Sequence, residues 1–516
     1  MALAPPPLPA CAAVTLAHVR AASGDHWNAI AQLTARGRAT VSGLHGTARF
    51  DDDLRDGRTA RRFSIAVMGP SAEIDDGRHW WSQDVSGGVH AYDAWFPRRR
   101  AITMEYLTRR AYLDPQPAAR ITCAGTRIED GRAVTVLRIV PPGGTPAELA
   151  VDARTFLPAS VSERLPTTTA VTRYNDYRTV GDVVLPFTIA AGTLHEPEDG
   201  YVFDVSRYTV RPSVHASDFT RPRPTGAPVM LGGARTASVP MVLDGAVMMV
   251  WASIDGHPPM LFILDTGGHA ILTTQTATAL GLRPAGAGVT GGSGAGTIAV
   301  QYARVRSIRL GAAELRDQPM LVIPYPPAFS DRGRGRAPIA GILGLEVFER
   351  FATRLDFHAR RVTLTPLDAF AHRGSGSAVP IRFQEDMPLT EASADGHRGL
   401  FGVDTGNGGV LLLFGDFLRR TGMFARYPAG RVVIGHGTGG ENTARIERLR
   451  RFALGGRTID GMPCAFTDMK SGALSSWTEA GNLGVFVLSY FTPTFDYANG
   501  TLYLDPGSAP IGLRRR

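Results

Sequence analysis

The chain has 516 residues, 44% hydrophobic and 20% charged, with a formal charge of +8 and a pI near 9.6. That length exceeds one ordinary core, so two or three domains are expected, and the composition excludes a disordered or fibrous protein. The positive charge does not make a nucleic-acid binder, because Lys470 is the only lysine and the arginines are dispersed rather than gathered into a stripe with aromatics.

Residues 1–29 open with an apolar, alanine-rich stretch that holds Pro5, Pro6, Pro7 and Pro9 and lacks a basic start. An export-signal remnant or a disordered N-terminus is expected there, with the periplasm or cell envelope as the location and the cytoplasm as the alternative. Cys11, Cys123 and Cys464 are far apart, with no CxxC pair and no accompanying histidines, which argues against structural zinc and against a disulfide scaffold. No stretch reaches the roughly 18–20 uninterrupted apolar residues of a membrane-spanning helix, so no transmembrane segment is expected.

Residues 30–211 offer short alternating runs, such as 62–67, 133–139 and 147–151, separated by the turn signals Asp76-Gly77 and Asp130-Gly131. A β-rich domain built on one curved antiparallel sheet is the expectation. Residues 212–238, rich in proline and glycine, read as a linker.

After the linker the sequence repeats. Leu261-Phe-Ile-Leu-Asp-Thr-Gly267 is echoed by Leu400-Phe-Gly-Val-Asp-Thr-Gly406. Gly341-Ile-Leu-Gly344 follows the first and Gly481-Asn-Leu-Gly484 the second, 76 residues after Asp265 and 77 after Asp404. Phe351 and Asp356 recur as Phe491 and Asp496, each 140 residues on. Two complete sets in one order predict duplicated lobes, spanning 239–368 and 378–506. In each, an apolar strand enters Asp-Thr-Gly, a second apolar run follows, and a short helix is expected over 275–281 or 416–422. Asn499-Gly500 predicts a type I′ hairpin near the end.

Two carboxylates held a few ångströms apart cannot both ionise cheaply, so one proton is shared and the apparent pKa values split. The ionised partner can then act as a general base on water while the protonated one polarises a carbonyl. Thr266 and Thr405 place a hydroxyl beside each carboxylate, suited to bonding across a pseudo-twofold interface. Gly267 and Gly406 permit the close backbone approach that a Cβ would obstruct. Asp356 and Asp496 precede turns and read as structural, and His269 and His436 as loop or surface histidines.

Residues 239–506 resemble the pepsin/retropepsin superfamily of aspartic proteases, through Asp265-Thr266-Gly267 and Asp404-Thr405-Gly406. The family's hydrophobic-hydrophobic-glycine element, its ψ-loop, matches Ile342-Leu343-Gly344 and, with a polar residue at Asn482, Leu483-Gly484. The resemblance implies a mainly β, two-lobed double-ψ β-barrel region, here preceded by the β-rich N-terminal domain. It also implies an aspartic endopeptidase acting on a peptide or protein substrate, with Asp265 and Asp404 as the catalytic pair and no metal or organic cofactor. Dimerisation is not required, since one chain carries both motifs. Candidate flaps are the loop with Gly291, Gly292 and Gly294 and the one with Gly435 and Gly437. Gly268, Asn407 and Asn482 depart from the family pattern and put substrate preference and rate in question. The N-terminal domain resembles lipoprotein-carrier sheets through Trp80-Trp81, Val151-Asp152, Leu157-Pro158, Tyr177 and Leu185-Pro186. The alternative reading is therefore an envelope protein that binds peptide or an apolar ligand without cleaving it.

Overall fold

The computed structural model describes residues 8–194, 200–245, 247–428, 430–507 and 510–511. The architecture is mainly β. The chain divides into two compact units: one holds the described residues up to Asp84 and Ala91–Arg223, the other Val85–His90 and Pro224 onward.

In the first unit, Gln32–Val41 pairs antiparallel with both Leu44–Asp53 and Tyr201–Arg211, so the first and last strands of the unit meet in mid-sheet. The sheet then extends in sequence order on both sides. One arm runs through Thr59–Ile65 and Gly69–Asp75 to Trp80–Gln83, the other back from Val183–Thr193 to Arg120–Glu129. The runs 133–139 and 147–151 fall in Arg132–Val140 and Ala147–Asp152, while the run 62–67 begins in Thr59–Ile65 and ends in the turn that follows it. Asp130 and Gly131, both at positive φ (47° and 75°), close the hairpin between Glu129 and Arg132 in the manner of a type I′ turn.

Two expectations for the N-terminal segment are corrected. Ala10–Ser23 is an α-helix whose Ala12, Leu16 and Val19 are buried with Tyr106, Leu137 and Leu149, so it belongs to the core of the sheet domain. Residues 1–7 lie outside the described residues. Cys11 on that helix is disulfide-bonded to Cys123, where the sequence argued against a disulfide scaffold. Spacing along the chain says little about a pair 112 residues apart that folding brings to a Cα separation of 6.5 Å. The 212–238 stretch is also more than a linker. Phe219 is buried with Ala60, Ala72 and Ile74 in the first unit, and Val229–Met230 pairs with Ala313 and Glu314 in the second.

The second unit repeats one pattern twice. Met260–Leu264 runs parallel to Ile339–Leu343, which pairs antiparallel with Ile271–Thr273. His397–Val403 runs parallel to Gly481–Leu483, which pairs antiparallel with Leu411–Phe414. Short helices Thr274–Ala279 and Gly415–Arg420 follow at equivalent places. The two copies join where Thr353 and Arg354 pair with Phe495 and Thr494, over one core that includes Phe262, Leu343, Phe348, Phe401, Leu483 and Phe495. The final hairpin differs from expectation: Tyr497–Asn499 forms a 3₁₀ turn, and only Gly500 takes a positive φ, 56°. The reason is Asp496, whose carboxylate accepts from the Asn499 amide at 3.2 Å and from its Nδ2 at 2.8 Å. That bonding holds Asn499 out of the left-handed conformation a type I′ turn requires.

Candidate active site

Each Asp-Thr-Gly loop leaves the end of an apolar strand and is pinned by the strand beside it. The Asp265 amide donates to the Leu343 carbonyl at 2.8 Å, and the Asp404 amide to the Leu483 carbonyl at 3.1 Å. The chain then returns the contact: Leu345 N donates to Gly268 O at 2.8 Å and Val485 N to Asn407 O at 3.1 Å. Gly344 and Gly484 make this approach, since an added Cβ would lie 1.8 Å from Gly268 O and 2.6 Å from Asn407 O.

The structure brings the two loops together. Thr266 N donates to Thr405 Oγ1 at 3.0 Å and Thr405 N to Thr266 Oγ1 at 2.9 Å. Each hydroxyl passes its own proton on, Thr266 to Val403 O at 2.6 Å and Thr405 to Leu264 O at 2.7 Å. Both threonines are fully buried. Asp265 faces the opposite loop so closely that a Cβ on Gly406 would sit 2.3 Å from its Oδ2.

Both carboxyl groups accept hydrogen bonds from the donors around them, and Asp265 takes the Gly406 amide as well as that of Gly267. Asp265 Oδ1 accepts from Gly267 N at 2.9 Å. Asp404 accepts from Asn407 N at 3.0 Å on one oxygen and from Asn482 Nδ2 at 2.8 Å on the other. Burial, then the charge of Asp404, pushes the Asp265 carboxyl well above the ordinary range. Two of the departures from the family pattern are linked here, because Asn407 Nδ2 donates to Asn482 Oδ1 at 2.8 Å. An apolar residue at 482 could neither hold Asn407 nor donate to Asp404.

The glycine loops are hairpin tips. Residues 291–296 lie between Ala285–Thr290 and Ile298–Leu310, while Gly437 pairs with Gly440, and Gly435 with Asn442, at the other tip. The tips touch: Gly294 N donates to Thr438 O at 2.8 Å and Gly296 N to Gly439 O at 2.9 Å. Ala473 N also donates to Gly292 O at 2.8 Å, and the Tyr325 hydroxyl lies 2.6 Å from Thr438 Oγ1. A Cβ added at Gly291 would make only an ordinary contact, 4.0 Å from Thr297.

Sequence reasoning missed the partners of His269. It lies in a loop, as expected, but is half-buried: its Nε2 lies 3.1 Å from Asp386 and its Nδ1 3.3 Å from Glu346, whose carboxylate also accepts from Ala270 N at 2.9 Å. His90 bonds Glu349 at 2.8 Å and lies 3.6 Å from Asp386, so one aspartate serves two histidines. His436 is exposed on Arg431–Gly437, as expected. Among the described residues no group of three or more His, Cys, Asp or Glu is arranged to hold a metal ion, and no helix is long and apolar enough to cross a membrane.

No curated protein sequence matches the chain significantly. Solved structures similar to parts of it include a LolA superfamily protein from Nitrosomonas europaea (14% identity, 41% of this chain and 97% of that one, TM-score 0.27). A DUF1329 family protein from Desulfovibrio piger matches at 11% identity over 40% of this chain and 97% of that one, TM-score 0.27. A retropepsin-like aspartic protease from Rickettsia conorii matches at 17% identity over 26% of this chain and 96% of that one, TM-score 0.19. Residues 250–347, which carry Asp265-Thr266-Gly267 and Ile342-Leu343-Gly344, match the family model described as aspartyl protease.

Proposed function

We propose that this chain is an aspartic endopeptidase that hydrolyses peptide bonds through a water held between Asp265 and Asp404. The observation that carries the reading is the reciprocal bonding of Thr266 and Thr405, which holds two carboxyl-bearing loops face to face within one polypeptide. The substrate lies extended between the lobes, 239–368 and 378–506, beneath the glycine hairpins. Asp404 takes a proton from the water as its oxygen attacks the scissile carbonyl carbon. Asp265 gives its proton to the carbonyl oxygen, producing a neutral gem-diol. Collapse reverses both transfers: Asp404 protonates the leaving nitrogen, Asp265 recovers a proton from a hydroxyl, and the C–N bond breaks. No second subunit is needed. The Cys11–Cys123 bridge supports an oxidising compartment, the periplasm or cell envelope.

The test is cleavage of a diverse peptide library from pH 3 to 8 by the wild-type chain and by Asp265→Asn and Asp404→Asn. Loss of about three orders of magnitude in each variant is expected from removing a general acid or base. Equal cleavage by either variant would remove the pair from the mechanism. Peptide binding without cleavage by the wild type would make the chain a binding protein.

A further inference from the structure

The repeat makes the two walls of the cleft directly comparable. At the constant offset of 140 residues, Asn482 stands in lobe two where Ile342 stands in lobe one, and Glu479 where Ile339 stands. The lobe-one wall is apolar: Ile339, Ile342, Ile263 and Ile271 cluster with Tyr325. The lobe-two wall is polar, carrying Glu479 and Asn482.

Residues 471–480 run from the glycine hairpin to the strand beside Asp404. At the hairpin end Ser471 Oγ donates to Ala295 O at 2.7 Å and Ala473 N to Gly292 O at 2.8 Å. At the other end the segment enters Gly481–Leu483, whose Asn482 bonds Asp404. Glu479 therefore stands between roof and aspartate, only 8% exposed. Its Oε1 accepts from Gln384 Nε2 at 2.8 Å, and Gln384 is itself 5% exposed. The Gln384 Oε1 atom is buried with no hydrogen-bond partner among the described residues. Burial pushes the Glu479 carboxyl up to about 7 against the bond from Ser476, with the charges of Glu385 and Asp404 adding to the rise. An orphaned amide oxygen beside a buried carboxyl, with no cation among the described residues bonded to either, is a site lacking its donor.

We propose that Glu479 and Gln384 wall a subsite beside Asp404 that takes the cationic side chain, lysine or arginine, of the substrate residue flanking the scissile bond on that side. An ammonium or guanidinium group supplies both things the wall lacks, a donor for Gln384 Oε1 and a positive charge for Glu479. A methylene chain supplies neither, and a carboxylate is repelled by Glu479, Glu385 and Asp404 together. The residue on the opposite side of the scissile bond meets Ile339 and Ile342 and is apolar. This inference rests on the endopeptidase reading.

The experiment compares kcat/KM for peptides of one frame in which each residue flanking the scissile bond is in turn lysine, arginine, norleucine, glutamine or glutamate. Wild-type protein is expected to favour lysine or arginine over norleucine by at least tenfold at one of the two positions. Glu479→Gln, which keeps size and hydrogen bonding, is expected to cut that ratio about tenfold while the norleucine peptide is still cleaved, which also reports that the variant is folded. Gln384→Leu should lower the ratio by a smaller factor. Wild-type cleavage without a basic preference, or a ratio unchanged in Glu479→Gln, overturns the subsite and leaves the endopeptidase reading standing. No cleavage of any peptide by the wild type overturns both.

Discussion

Thr266 and Thr405 exchange hydrogen bonds, each backbone amide donating to the other's hydroxyl, at 3.0 and 2.9 Å. Because each hydroxyl also donates to a carbonyl of the opposite strand, Thr266→Val removes two bonds and leaves the Thr405 amide and the Val403 carbonyl buried without partners. At about 1–3 kcal/mol for each unsatisfied group, a loss of roughly 2–5 kcal/mol is expected. Thr405→Val should behave the same way. The double variant should lose less than the sum of the two, since both members belong to one network. Thr266→Ser keeps the hydroxyl and should remain close to wild type. Urea unfolding midpoints of the wild type and the four variants decide this; strict additivity would mean that the bonds are not coupled.

Asp265 gives a second expectation, with a definite sign. Its carboxyl titrates higher in the folded chain than in the unfolded one, chiefly through burial and then through Asp404. Between those two pKa values the folded chain holds the proton and the unfolded chain has released it, so stability falls as pH rises from about 4. Asp265→Asn abolishes that loss. The variant should match wild type near pH 4 and melt higher at pH 7, by about 2–4 °C for each kcal/mol relieved, while losing cleavage under the proposed mechanism. Thermal melts of both proteins across pH 4–8 test this; parallel curves would show that the carboxyl is not held protonated.

The paired loops were legible because the features that make them are local and occur twice. An apolar strand, Asp-Thr-Gly, and a glycine where Gly344 or Gly484 must approach the loop backbone can all be read along the chain. The sheet of the first unit was legible from alternation and from Asp130-Gly131. What escaped depends on long-range contacts. His269 looked like a loop residue because its partners Glu346 and Asp386 lie 77 and 117 positions away. Cys11 and Cys123 gave no sign of pairing for the same reason, and nothing local marks Val85–His90 as part of the second unit. Glu479 is different. Its place opposite Ile339 follows from the repeat offset alone and could have been read before the structure.

The bridge itself should be worth a measurable amount. Cys11–Cys123 closes a 112-residue loop that joins helix Ala10–Ser23 to Arg120–Glu129. The chain-entropy argument puts such a closure near 4–5 kcal/mol, with 2–5 kcal/mol typical of natural bridges. Cys123→Ser, or reductant on the wild type, should destabilise the first unit by that amount. Cleavage measured well below the new melting point should be unchanged, because the paired loops belong to the second unit. An effect on cleavage without an effect on melting would reverse the assignment.

His269 connects charge to the geometry of the Asp265 loop. Burial works against its protonation, but Asp386 and then Glu346 hold the imidazolium well above its ordinary value. The effect is mutual: against the same burial, His269 holds Asp386 down at about 2. A histidine with a raised folded pKa stabilises fully below about pH 6.5, and that contribution is lost as pH rises through the folded value. The strain of that loss falls next to the dyad, because His269 follows Gly268, whose carbonyl holds Leu345, and Asp386 precedes Met387, which packs against Gly267. Wild-type kcat should therefore decline on the alkaline side together with stability, with KM little affected. His269→Gln keeps a hydrogen-bonding side chain without the charge. It should be less stable than wild type at pH 6, converge with it at high pH, and show a flatter alkaline limb in both melting temperature and kcat. Unchanged slopes in His269→Gln would mean that the alkaline limb belongs to Asp265 alone.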